Sequence, residues 1–486
     1  MLFNSLQFLV FFPAIVFLYF LVPHKYRVAL LLAGSYYFYL NAKAEYALIL
    51  AVSTLVSYFT AIFISQSEIQ ARKKFFLVLS LLVNLGFLFT FKYFNFVSQA
   101  IVDFFRVFDL EFTPWRLGWL MPLGISFFTF QSVSYVVDVY RGKIAPERNL
   151  GLFAVYLSFF PRLIAGPIER AGNFIPQLRE VHSFNSREAA DGLKLMAWGF
   201  LKKVVVADGL AFFVDRVYGN IHSYSGPALI IATVLYSIQI YCDFSGYTDI
   251  AIGSARVMGF KLMDNFSAPY LAKSIAEFWR RWHISLSGWF QDYVFNPLYF
   301  AVSKWNCLAG RGARLKHWLS FILAMLVGET LLGLWHGASW NFVFFGLYHG
   351  IAIILYYLIK KWWDKLPSAV AIFLTFLIAT GSWVLFKSQS LADAGYVYSH
   401  LFIASQFGYW HDIMGIFLNY EYEFVVIILP AIIVALTHNQ EKNRAGTVEF
   451  INSKPRSLRW VVYYCLIMSI LMFGSFGSKQ FIYFNF

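Results

Sequence analysis

Glu277-Phe-Trp-Arg-Arg-Trp-His283, then Leu334-Trp-His336-Gly337 and Tyr348-His349-Gly350, form the stretch on which the fold turns, because three of the ten histidines sit there among apolar runs. Residues of about 318 to 334 and 340 to 359 are each apolar over nearly the length that crosses a hydrocarbon core of about 30 Å. His336 lies where the first run ends, and an ionisable group held at that depth is expensive, which makes it a functional candidate by default.

The rest of the chain agrees with a membrane setting. Its 486 residues are 59% hydrophobic, 21% aromatic and only 13% charged, far more apolar than a soluble domain. Repeated apolar segments without strict alternation exclude a β-barrel. The fold class expected is all-α: a polytopic integral membrane protein with roughly ten to twelve crossing or re-entrant helices, plus amphipathic interfacial helices, around a central tunnel. The net charge of +13 comes from Lys and Arg in short loops between apolar segments, which writes topology and does not point to nucleic acid. Cys242, Cys307 and Cys465 are far apart and lack metal or redox spacing.

Placing basic loops inside orients the chain. His24 to Arg27, Arg72 to Lys74, Arg141 to Arg148, Lys360-Lys361 and His438 to Arg459 are then cytoplasmic, with the amino terminus, Asn41 to Glu45, about 96–118, 388–420 and the tail after Gly474 outside. Crossings are expected at about 8–22, 75–91, 123–139, 203–217, 229–241, 318–334, 340–359, 367–386, 423–437 and 460–474. Phe159 to Arg170 is broken by Pro161, Gly166 and Pro167 and reads as a re-entrant or interfacial hairpin. Between Asp243 and Lys316 no clean span is expected. Within it, Ser274 to Phe290 carries apolar residues at helical spacing and reads as one interfacial helix with His283 on its polar side. The domain reading is one membrane domain over 1–474 and an extracytoplasmic aromatic tail over 475–486.

Two readings of His336 stay open: a neutral imidazole bonded between helices, or a general base able to take a proton from a hydroxyl and pass it on. His283 gains importance only if the fold carries it toward His336. His349, thirteen residues beyond His336 and about 220° around a straight helix, is read as structural, packing against Gly346 and Gly350. No metal is expected among the three, whose spacing is not the i, i+4 pairing of a helical zinc site. Asp243 and Asp249 are placed at a helix end, paired with Arg162, Arg256 or Arg280, and Glu169-Arg170 as an internal pair. Rival functions are a proton-coupled transporter or flippase using His336, Asp243 and Asp249, and a scaffold recruiting partners through 388–420 and the tail. No repeated halves are visible to favour the transporter.

Three motifs in order, Asp243-Phe-Ser-Gly-Tyr-Thr-Asp249, Glu277-Phe-Trp-Arg-Arg-Trp-His283-Ile-Ser-Leu-Ser287 and Gly333-Leu-Trp-His336-Gly337, resemble the membrane-bound O-acyltransferase family. The similarity is strongest to its alginate O-acetyltransferase branch, related to the D-alanyl transfer protein and to peptidoglycan O-acetyltransferases. The chain departs from that branch where its members often carry a Gly-Gly-Asn-Arg loop, reading Phe295-Asn-Pro-Leu-Tyr-Phe300 and later Gly310-Arg-Gly-Ala-Arg314. The resemblance implies a multi-pass O-acyltransferase of the bacterial cytoplasmic membrane, with no bound cofactor. Acetyl-CoA or an acyl carrier thioester would be the donor, and an extracytoplasmic polysaccharide the acceptor. It implies His336 and His283 as catalytic, with Trp335, Trp282, Asp243 and Arg280 lining or supporting the tunnel amid membrane lipid. The terminal Phe481-Ile-Tyr483-Phe484-Asn485-Phe486 resembles the end of the small D-alanylation partner peptide. Tyr483 is therefore expected to receive the acyl group and hand it to an esterase-like, SGNH-type partner outside.

Overall fold

The computed structural model describes residues 1–41, 44–119, 121–224, 226–305, 312–402, 446–476 and 481–482. Among these every regular element is helical and no strand occurs. Seven described helices are long and apolar enough to cross a membrane, and Leu6–Leu21 adds a shorter apolar one. The chain is a multi-pass membrane protein. The helix expected at 423–437, and Tyr483, lie outside the described residues.

The chain divides into two compact units, Met1–Leu193 with Ala251–Met263, and Lys194–Ile250 with Asp264–Phe486. In the first, α1 (Leu6–Leu21) opens on Ser5, whose hydroxyl accepts from Phe8 N–H at 3.3 Å, satisfying one of the orphan donors of a helix start. It is followed by α2 (His24–Leu40), α3 (Ala44–Gln66), α4 (Gln70–Leu88), α5 (Phe94–Arg106) and α6 (Ile125–Tyr140). The helix of α4 runs through a π-turn at Phe89–Tyr93 into α5, so the first part of the segment expected outside, residues 96–106, is helical. Polar side chains join α3, α4 and α6: Ser53 Oγ meets Asn84 Oδ1 at 2.5 Å and Ser132 Oγ at 3.2 Å. Such bonds glue helices where burial of apolar surface against lipid supplies little drive.

The broken segment expected at 159–170 follows α7 (Leu150–Ser158) and consists of the single turn α8 (Phe160–Leu163) and irregular chain leading to α9 (Ala171–Arg179). Arg162 is buried there, its guanidinium 4.4 Å from the Phe174 ring and 4.9 Å from that of Tyr156, while it donates to the Tyr156 carbonyl. Glu169 binds main chain, accepting from Met263 N–H at 2.9 Å and Arg170 N–H at 3.3 Å. Arg256, expected beside Asp243 or Asp249, pairs with Glu188 at 2.7 Å and Asp191 at 3.3 Å.

α10 (Ser186–Phe200), which enters the second unit at Lys194, passes through a π-helical stretch, Leu201–Ala207, into α11 (Asp208–Gly219), and α12 (Pro227–Val257) follows, belonging to the second unit as far as Ile250. Short helices α13 (Ile275–Arg281), α14 (Ile284–Phe290) and α15 (Asn296–Ser303) precede the long hairpin of α16 (Ala313–His336) and α17 (Trp340–Trp363). α18 (Ser368–Lys387), α19 (Leu391–His400), α20 (Thr447–Asn452) and α21 (Arg456–Phe473) complete the described helices. The hairpin is tight because Gly333 and Gly346 face each other's helices. A Cβ on Gly333 would lie 2.2 Å from the Phe342 carbonyl oxygen, and one on Gly346 2.2 Å from that of Glu329. Only glycine allows that approach.

Candidate active site

His336 is the last residue of α16, 2% exposed. The chain turns at Gly337 before α17 starts, and rings from three elements close around the imidazole: Trp335 at 4.9 Å between centroids, Phe386 at 5.1 Å and Phe345 at 5.6 Å. Gly337 is required by this packing, since a Cβ there would lie 2.1 Å from the Phe342 ring.

His283 lies elsewhere than expected. Ser274 to Phe290 is two helices, α13 and α14, and His283 stands at the break with φ 44° and ψ 53°, a left-handed conformation costly for a residue with a Cβ. The Ser274 hydroxyl caps α13 by accepting from Glu277 N–H at 3.2 Å, and Glu277 bonds Arg281 at 2.5 Å. His283 is fully buried, not on a polar outer face. What holds it is Asn265, which the sequence reading passed over. The Asn265 carbonyl oxygen Oδ1 accepts from Ser285 N–H at 3.3 Å and from the Ser285 hydroxyl at 2.8 Å, and lies 3.0 Å from His283 Nδ1. A backbone N–H can only donate, so this atom is the acceptor and the His283 proton sits on Nδ1. Nε2 then carries the lone pair, and among the described residues it has no hydrogen-bond partner. Burial pushes the imidazole down to about 3, so it is neutral at physiological pH.

The two histidines meet through one side chain. The His283 ring is 5.5 Å from Trp335 and Trp335 is 4.9 Å from His336. His349, midway along α17, faces away from this pair: its Nε2 lies 2.9 Å from Ser382 Oγ on α18 and its ring packs on Trp279 at 4.9 Å. Gly346 and Gly350 face α16 instead. Trp282 is fully buried, packed against Phe278, Phe266 and Trp383 at 5.0 to 5.6 Å.

The acidic motif also differs from its reading. α12 runs unbroken for 31 residues through Asp243 and Asp249, and their partners are lysines. Lys203 Nζ is 2.6 Å from Asp243 Oδ1 and 2.8 Å from Asp208, and Lys202 Nζ is 2.6 Å from Asp249. Gly246 makes this possible: a Cβ there would fall 2.7 Å from the Gly199 carbonyl oxygen, so the lysine-bearing π-stretch sits directly on α12. Paired and bonded in this way, the carboxylates can remain inside an apolar helix. Arg280 is exposed on α13 and lines a cavity of 450 Å³ with Trp279, Ser287, Gln291, Glu329 and Tyr357. Glu329, two turns before His336, is a second residue the sequence reading passed over; an acid in the middle of an apolar run was the available signal.

A multi-pass helical membrane protein with ionisable side chains packed into its interior is the class that this fold and site define. Residues 75–392 match the model of MBOAT, the membrane-bound O-acyltransferase family, and the chain belongs to that family. It is an acyltransferase. It is 36% identical over 418 residues to the protein named "Probable alginate O-acetylase AlgI" in Azotobacter vinelandii, covering 84% of this chain and 79% of that one. A peptidoglycan O-acetyltransferase of Helicobacter pylori is 31% identical over 510 residues, covering 94% and 91%. A teichoic acid D-alanyltransferase of Bacillus subtilis is 31% identical over 284 residues, covering 55% and 69%.

Proposed function

We propose that the chain moves an acyl group, most simply acetyl, from a cytoplasmic thioester through the bacterial cytoplasmic membrane for O-acylation of an extracytoplasmic polysaccharide. Its amino terminus and its tail, residues 475–486, are extracytoplasmic in this reading. The donor is acetyl-CoA or an acyl carrier protein, and an esterase-like SGNH-type partner completes delivery. The reading is supported by the relatives' names, which speak of O-acetylation of alginate and of peptidoglycan, and by one structural observation above all. Phe481, two residues before Tyr483 in sequence, packs 5.5 Å from Phe244, whose ring lies 4.6 Å from His283.

His336 takes the proton from the Tyr483 phenol as the oxygen attacks the thioester carbonyl carbon. The carbon–sulfur bond breaks and the imidazolium returns the proton to the leaving thiolate, leaving a tyrosyl ester and a free thiol. The partner transfers the acyl group from that ester to a polymer hydroxyl. His283, protonated at Nδ1, offers Nε2 as an acceptor that orients a reacting hydroxyl or a donor amide. The aromatic packing around His336 excludes water that would hydrolyse the thioester. General-base action contributes about 10² to 10⁴ in rate, and orientation supplies the remainder.

The test is His336→Ala and Tyr483→Phe in membranes at matched expression, with polymer acylation measured and the tail peptide examined by mass spectrometry for an acyl adduct on Tyr483. Loss of acylation in both, with the adduct present in the wild type, is expected. Normal acylation in either mutant removes that residue from the mechanism.

A further inference from the structure

The carboxylate that the reaction above leaves unused is Asp243. Its two oxygens divide their work: Oδ1 meets Lys203 Nζ at 2.6 Å, and Oδ2 accepts the backbone N–H of Ile482 at 2.8 Å. Asp243 is 1% exposed and Lys203 3%, so a hydrogen bond from main chain to this carboxylate is charge-assisted and shielded from water. The residue before it is held as firmly. Phe481, 2% exposed, stacks on Tyr247 with centroids 4.7 Å apart and planes inclined at 26°, one turn along α12 from Asp243. Where α21 ends, Ser475 N–H bonds the Val204 carbonyl at 3.0 Å, so the chain leaving the last helix is tied to the same π-stretch that carries Lys203.

A π-helical stretch is a rare and costly departure from α geometry, concentrated at functional positions. Here it has two visible consequences: it aims Lys202 and Lys203 at Asp249 and Asp243, and it leaves Val204 with a carbonyl that the tail can reach. A lysine–aspartate pair alone is enough to neutralise a buried carboxylate. Asp243 has that pair with Lys203 and, in addition, a main-chain donor from 239 residues away.

We propose that Asp243, set by Lys203 in the π-stretch, is the receptor for the carboxyl-terminal segment, gripping the backbone at Ile482 while the Phe244 and Tyr247 rings hold Phe481, and thereby positions Tyr483 for acyl transfer. This rests on the acyl-relay reading for its purpose, though the grip itself does not. Asp243 is a positioning residue: it acts through the tail and touches no reacting atom. Because a main-chain N–H is what it binds, the side chain at 482 is free to vary, and the specificity lies in the aromatic at 481.

The experiment is timed carboxypeptidase release of the terminal residues from the full chain in detergent, followed by mass spectrometry, alongside polymer acylation in membranes. Asp243→Ala is compared with Glu188→Ala, which breaks another carboxylate–cation pair made to the same helix, Glu188 to Arg256 at 2.7 Å. Phe481→Ala covers the event that Asp243→Ala does not fold. Release of residues up to 482 is expected to accelerate on the order of tenfold or more in Asp243→Ala and Phe481→Ala, as loss of a charge-assisted bond or a buried ring implies for a locally opening segment. It is expected to stay at the wild-type rate in Glu188→Ala. Unchanged release in Phe481→Ala and in any folded Asp243→Ala overturns the grip, as does equal acceleration in Glu188→Ala. Accelerated release with no acyl adduct on wild-type Tyr483 keeps the grip and removes the relay.

Discussion

His283 and His349 are both fully buried histidines in the second unit, and each is held through one ring nitrogen by a polar neighbour. The neighbours differ in kind. Ser382 donates its one hydroxyl proton to the Ala379 carbonyl at 2.6 Å, so its Oγ accepts from His349 Nε2–H. That bond joins α17 to α18 and leaves the His349 lone pair on Nδ1. Asn265 Oδ1 is an acceptor committed by two other donors, so it orients His283 and decides which nitrogen is bare. The two rings therefore bare opposite nitrogens, Nε2 in His283 and Nδ1 in His349, and it is His283 that packs on Trp335, the ring that also touches His336. Backbone strain follows the same division: His349 lies within regular helix, and His283 occupies a left-handed position held by its surroundings.

The largest expected contrast is between His336 and His349, which both pack on Phe345, at 5.6 and 4.7 Å. His336→Ala is expected to lower acyl transfer per folded molecule by about 10² or more. His349→Leu keeps volume and leaves Ser382 bonded to Ala379, so it is expected to hold activity within about threefold and to cost about 1 kcal/mol of stability. Acylation assays normalised to folded protein, with melting in detergent, check both. A loss in His349→Leu as deep as that in His336→Ala would break the comparison.

The next contrast removes the partners. Asn265→Ala leaves Nδ1 of His283 and both Ser285 donors without their acceptor, and activity is expected to fall about 10- to 100-fold, the range typical when an outer partner that orients a histidine is lost. Ser382→Ala is expected to leave activity near the wild-type level. Asn265→Asp supplies the same acceptor but puts a negative charge beside the ring, which favours the protonated imidazole and occupies Nε2. Its activity is therefore expected to recover as pH is raised. A pH-independent Asn265→Asp would show that the Nε2 lone pair is not needed.

How far the sequence carried these conclusions depends on whether the determinant was local. Spans expected at 340–359 and 367–386 are α17 and α18 to within a few residues, because an apolar run of fixed length is a property of neighbouring residues. The interfacial helix over 274–290 had sound periodicity and was still two helices. The break depends on Asn265, eighteen residues upstream, which accepts from His283 and offers its own carbonyl to Ile284 N–H at 2.9 Å. Likewise Asp243 and Asp249 looked like a helix end because nothing nearby neutralises them; Lys202 and Lys203, some forty residues earlier, do so only once Gly199 and Gly246 let two backbones touch. His336 was legible because its cost is local. The chain of rings from His336 through Trp335 to His283 was not, since it spans two elements more than fifty residues apart.

The smallest expected effect concerns proton binding by His283 itself. Its folded value of about 3 lies below the ordinary 6.5, so between those values the unfolded chain binds a proton that the folded chain refuses. Stability from this group is therefore complete above about pH 6.5 and is lost progressively as pH falls toward 3. Asparagine tolerates the left-handed backbone better than most residues and does not titrate, so His283→Asn removes the effect with little new strain. Melting temperatures of wild type and His283→Asn, measured in detergent between pH 7.5 and 5, are expected to diverge in slope, the wild type falling more steeply with acid. Parallel slopes would mean that the ring takes up protons while folded. The lone pair on Nε2 would then be open to solvent, and the distinction from a purely structural histidine would rest on Asn265 alone.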